Sequence, residues 1–162
     1  MPSVLFVCTA NQFRSPMAAA LFRDALQKNG VTDHWTVGSA GTWASEGLPA
    51  LTAVSAFART CGLDLARHRS VGVNRAMLLA HDLILVMEAG HKEALQNEFP
   101  FCRERVFLLS QVAEDRMYDI PDSMESVEAV NEVCANLDEL IRTGFDNICN
   151  LAVNIQKTEG TS

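Results

Sequence analysis

The chain alternates short apolar runs with longer stretches in which apolar residues recur every three or four positions. Val4, Leu5, Phe6 and Val7 form an unbroken run ending at Cys8. A run this short and partly β-branched predicts a strand over residues 3–8, buried on both faces. Residues 16–29 (PMAAALFRDALQKN) carry a helical pattern and stop at Gly30, a residue suited to closing a helix. HWTVG at 34–38 predicts a short strand running into the Gly/Ser loop SAGTWASEG. A helix is expected over about 49–61, stopped by Gly62, and a short one near 74–80. DLILVM (82–87) predicts a strongly buried strand, residues 90–98 a helix, and RVFLLS (105–110) a further strand. From about 124 to 155, Val127, Val130, Cys134, Leu137, Ile141, Phe145, Ile148 and Ala152 form one apolar stripe. This predicts a long helix packed on the sheet, kinked or broken at Gly144.

Strands separated by helices imply βαβ units. The expected fold is α/β: a single three-layer domain, with a four-stranded, mainly parallel sheet and helices on both faces. The domain is expected to span residues 1–156, with 157–162 a disordered tail. In such sheets ligands sit beyond the carboxyl ends of the strands, and Cys8 stands at such an end.

Composition narrows the function. A chain of 162 residues fits one domain, and 48% hydrophobic residues suffice for a sizeable core. The net charge of −7 argues against a nucleic-acid partner, which needs a basic face. An anionic substrate must therefore be drawn in by a local positive site. The N-terminus has neither the basic segment nor the apolar stretch of a secretory signal, and no run reaches the roughly 18 apolar residues of a membrane span. Five dispersed cysteines with no C-x-x-C and no Cys/His cluster fit a reducing cytoplasm and argue against a metal.

The candidate chemistry lies in residues 8–16. Cys8 at a strand end is followed by Arg14, Ser15, Pro16 and a helical pattern. Loop and first-turn amides then point inward at a space fitted to a phosphate. The guanidinium offers a bidentate fork to its oxygens, and the same positive field favours the thiolate, the attacking form of Cys8. Ser15 is read as the helix N-cap, with Pro16 in the first turn, and its hydroxyl as a donor to the Cys8 sulfur. Asn11 tolerates the left-handed backbone that a tight anion loop needs. Phosphoryl transfer to a thiolate also needs an acid for the departing oxygen. Asp119 and Asp122, flanking Ile120-Pro121, are the candidates, and an aspartate before a helix is equally a common N-cap.

Together these residues resemble the low-molecular-weight protein tyrosine phosphatases across nearly the whole chain. The loop Cys8-Thr9-Ala10-Asn11-Gln12-Phe13-Arg14-Ser15-Pro16 matches the family form C-x-G-N-x-C-R-S-P. Ser39-Ala40-Gly41-Thr42, His68 in LARHRS, DLILVME at 82–88 and Ile120-Pro121-Asp122 match further segments in order. The resemblance implies Cys8 as nucleophile through a phosphocysteine, Arg14 as the phosphate-binding and transition-state-stabilising group, and Asp122 as general acid and then base. Thr9, Ala10, Asn11, Gln12, Phe13 and Ser15 would line the substrate phosphate. Asn11, Ser15, Ser39 and His68 would form a supporting network. No metal or other cofactor is implied, and the implied partner is a phosphorylated protein.

Three departures mark this chain. Ala10 replaces a glycine, which would strain the loop by about 1 kcal/mol or more if that position needs a positive φ. Phe13 replaces the second loop cysteine, so Cys8 has no thiol partner within the loop. Ser123-Met124 follow Asp122 where the family carries Pro and often aromatics, leaving Trp43 as the replacement wall for a phenyl ring or else a buried structural residue. The leading expectation is a phosphatase for protein phosphotyrosine and small aryl phosphates. A protein-arginine phosphatase is the second, because Thr9 resembles that branch while Gln12 departs from it. A catalytically weak phosphate-binding regulator is the third. An arsenate reductase, which relays a disulfide through closely spaced cysteines, is disfavoured by the wide spacing of Cys61, Cys102, Cys134 and Cys149.

Overall fold

The computed structural model describes residues 1–159. Four parallel strands, β1 (Ser3–Cys8), β2 (Thr36–Gly41), β3 (Leu83–Val86) and β4 (Val106–Leu108), line up in the order β2-β1-β3-β4. The most apolar runs, β1 and β3, take the two central places, where both faces are covered. Alternation along β1 divides the core. Val4, Phe6 and Cys8 face one layer, which holds helices α1 (Arg14–Lys28), α2 (Thr52–Thr60), α5 (Leu109–Glu114) and α6 (Val127–Glu159). Leu5 and Val7 face the other, with α3 (Arg75–Ala80) and α4 (Ala89–Glu98). This is the expected three-layer α/β domain. No helix among the described residues is long and apolar enough to cross a membrane.

Four local expectations are corrected. RVFLLS is not one strand: β4 ends at Leu108, and Leu109 and Ser110 open α5. Leu109 is buried either way, so its hydrophobicity did not distinguish strand from helix. Helix α1 begins at Arg14, with Phe13 at the cap and no side-chain cap bond, so Ser15 lies inside the helix and is not its N-cap. The α6 helix runs unbroken through Gly144. There the missing side chain permits contact: a Cβ at 144 would lie 2.5 Å from Ala113 Cα and Cβ. Finally, α6 includes residues 157–159 of the expected tail, and 160–162 lie outside the described residues.

The strand register brings the site together. Cys8 pairs with Gly41, and Val7 with both Ala40 and Val86. The loops after β1, β2 and β3 therefore emerge side by side at the carboxyl edge of the sheet, and the segment ending at Ile120 joins them through its N–H bond to the Met87 carbonyl, 2.9 Å.

Candidate active site

Cys8 is the last residue of a central strand and is 2% exposed. Its Sγ accepts from the Ser15 backbone N at 3.4 Å and lies 3.0 Å from Ser15 Oγ, a contact in which either group can donate. Ser15 Oγ also accepts from Asn11 Nδ2 at 2.8 Å, and Ala40 O at 3.3 Å is the alternative acceptor for its one hydrogen.

Asn11 holds the turn. It is fully buried with φ 58°, the left-handed conformation anticipated for it. Its amide group donates to Ser15 Oγ and to Ser39 Oγ (3.0 Å), and its Oδ1 accepts from Val71 N (3.0 Å). His68 Nε2 donates to the Asn11 carbonyl at 2.7 Å. Ser39 and His68 thus stand where the sequence reading expected loop supports. Ala10 has no positive φ, so the conditional strain does not arise; Asn11 carries the turn alone. Gln12 is tied sideways, its Nε2 donating to Pro49 O at 2.9 Å and its carbonyl accepting from Leu51 N. Phe13 is buried in the core.

Arg14 is 1% exposed. Nη1 spends both hydrogens on protein acceptors, Glu88 Oε2 at 2.9 Å and the Ile120 carbonyl at 2.7 Å. Nη2 makes only a long 3.4 Å contact with Thr9 Oγ1, and Nε is buried with no hydrogen-bond partner. The guanidinium is therefore pinned by one nitrogen, leaving its Nε–Nη2 edge for a bidentate anion. Asp122 Oδ1 lies across that edge, 3.5 Å from Nε, on a side chain 41% exposed. Asp119 is occupied differently: its Oδ1 accepts from Ala89 N at the start of α4, 2.8 Å. Of the two acid candidates, only Asp122 meets Arg14.

Trp43 is 86% exposed, which removes the buried structural alternative. Thr42 N and Trp43 N donate to the carbonyls of Cys8 and Thr9 at 2.8 and 2.9 Å, fastening this loop to the cradle.

Sequence reasoning missed Glu88 and His91. His91 is buried, and burial pushes its pKa below the ordinary histidine value. It bridges Glu88 and Thr9 (Nε2 to Thr9 Oγ1, 2.8 Å). The available signal was a titratable pair three residues apart just past a buried strand. Cys102, Cys134 and Cys149 are suited to packing. Burial raises Cys134 to about 12, Cys149 to about 11, and Cys102 above its ordinary value.

Comparison with known proteins fits this arrangement. Residues 3–153 match the model of the low molecular weight phosphotyrosine protein phosphatases. The chain belongs to this family. Among its relatives, a protein-arginine-phosphatase of Geobacillus stearothermophilus is 36% identical over 119 residues, 74% of this chain and 76% of that one. The low molecular weight protein-tyrosine-phosphatase YfkJ of Bacillus subtilis is 32% identical over 97% of both chains. The crystal structure of a low molecular weight protein tyrosine phosphatase from T. tengcongensis superimposes with a TM-score of 0.84 at 29% identity, covering 90% of this chain and 99% of that one.

Proposed function

We propose that this low molecular weight phosphatase hydrolyses phosphotyrosine in proteins, and small aryl phosphates, through a phosphocysteine at Cys8. One observation carries the reading: a sulfur that accepts the Ser15 amide and touches the Ser15 hydroxyl stands beside a pinned arginine whose Nε–Nη2 edge has an aspartate across it. Arg14 and the loop amides of Thr9 to Ser15 hold the phosphoryl oxygens and neutralise charge gathering on them in the transition state. Cys8 Sγ attacks phosphorus as the P–O bond to the leaving group breaks, and Asp122 gives that oxygen its proton. Asp122, now a carboxylate, takes a proton from water, which attacks phosphorus. The S–P bond breaks, and phosphate and the Cys8 thiolate are regenerated. Exposed Trp43 supplies the aromatic wall. The scattered free thiols suit a reducing cytoplasm.

A protein-arginine phosphatase is the second reading, favoured by the relative named for that activity and by Thr9. One preparation assayed on phosphotyrosine, phosphoarginine and phosphoserine peptides and on arsenate separates these. The proposal expects phosphotyrosine to be preferred and phosphoserine to be rejected, its phosphate being too short to reach the sulfur. Preference for phosphoarginine would transfer the assignment to the second reading.

A further inference from the structure

Beside the cradle, three side chains fix one another's hydrogens. The Glu88 backbone N lies 3.2 Å from His91 Nδ1. A backbone amide only donates, so Nδ1 is the bare, accepting nitrogen and the ring proton sits on Nε2. From Nε2 it reaches Thr9 Oγ1 at 2.8 Å, with Glu88 Oε2 at 3.2 Å as a second acceptor. Arg14 Nη2 also only donates, and its contact is the same Oγ1. Both acceptor positions of the Thr9 hydroxyl are thereby directed at donors. Its own hydrogen has no acceptor among the described residues, and the oxygen carrying it neighbours the Nε–Nη2 edge left open for an anion.

We propose that the Thr9 hydroxyl donates this hydrogen to a phosphoryl oxygen held on the open edge of Arg14, and that His91, anchored by Glu88, is the positioning residue that keeps it aimed there. Thr9 is then a catalytic residue in its own right, adding a side-chain donor to the ring of amides. His91 acts only through it. The inference rests on the phosphatase reading of the cradle.

The test uses the full chain with inorganic phosphate as the probe, its dissociation constant measured calorimetrically, and p-nitrophenyl phosphate for turnover. Thr9→Val keeps the shape and removes the hydroxyl. Phosphate affinity and kcat/KM should each fall about tenfold, the low end for a hydrogen bond to a charged group. Thr9→Ser should restore both to within about threefold. His91→Phe should weaken phosphate binding in the wild-type background and cost nothing further in Thr9→Val, as residues acting through one contact do. Unchanged phosphate affinity in Thr9→Val, or no rescue by serine, overturns the hydroxyl's role. A His91→Phe loss that persists undiminished in Thr9→Val overturns the positioning role. Calorimetry reads these outcomes without turnover, so a wild-type chain that binds phosphate but shows no Cys8-dependent hydrolysis would sink the phosphatase reading separately.

Discussion

Gly41 ends β2 directly beside Cys8, and its lack of a side chain is what lets the cradle close. A Cβ there would lie 2.3 Å from the Thr9 carbonyl oxygen, 2.9 Å from Ala44 Cβ and 3.1 Å from Asn11 N. Ordinary carbon–oxygen contacts begin near 3.3 Å. Gly41→Ala must therefore push the Thr9 peptide about 1 Å, and Thr9 and Asn11 are backbone of the phosphate loop itself. A misplacement of that size can cost about 100-fold in catalysis, equivalent to about 2.7 kcal/mol of transition-state stabilisation. The overpacking itself should lower stability by about 1–3 kcal/mol. The control is Ile148→Ala, which empties a fully buried position on α6 and should cost about 2–5 kcal/mol of stability while leaving kcat/KM of the folded fraction intact. The assay is p-nitrophenyl phosphate turnover alongside urea unfolding of each variant. Gly41→Ala that is folded and within a few-fold of wild-type activity would refute the reasoning.

Asp122→Asn should slow esters with poor leaving groups far more than those with good ones, because only the former need a proton on departure; if Asp119→Asn gives that pattern instead, the acid is misassigned. With Phe13 where a second loop thiol would stand, prolonged peroxide should carry Cys8 to sulfinic and sulfonic acids that thiols do not reverse. Full recovery of activity with dithiothreitol, or mass spectra showing Cys8 still reducible, would contradict this. His91 has its pKa lowered by burial, so the unfolded chain binds a proton that the folded chain resists. Its contribution to stability is present above the ordinary value of 6.5 and is lost as pH falls from there toward the folded pKa; urea unfolding at stepped pH should show a steeper acid-side decline in wild type than in His91→Gln, and parallel curves would refute it.

The candidate loop was legible because local rules converge on it: an apolar run that must be a buried strand, then Cys8, Arg14 and a helix start within a few residues. Ser39 and His68 were reached only through the family pattern, since nothing local distinguishes them from turn residues; Asp122 was a candidate acid beside Asp119 on local grounds, and only the family pattern chose between them. Glu88 and His91 stayed hidden for a topological reason. They meet Arg14 and Thr9 only because β3 lies beside β1 in the register that pairs Val7 with Val86, a juxtaposition hydrophobic periodicity does not encode. The same blindness turned Leu109 and Ser110 into strand and Gly144 into a break. In both cases the deciding contact, the core under α5 and the close approach of Ala113, comes from a distant part of the chain.

The central claim is that phosphate passes through the Cys8 sulfur. Asp122→Asn mixed with p-nitrophenyl phosphate and acid-quenched within milliseconds should carry one phosphoryl group, found by mass spectrometry on the peptide containing Cys8 and absent in the Cys8→Ser, Asp122→Asn double variant. A phosphoryl group on any other residue, or steady hydrolysis surviving Cys8→Ser, would contradict it.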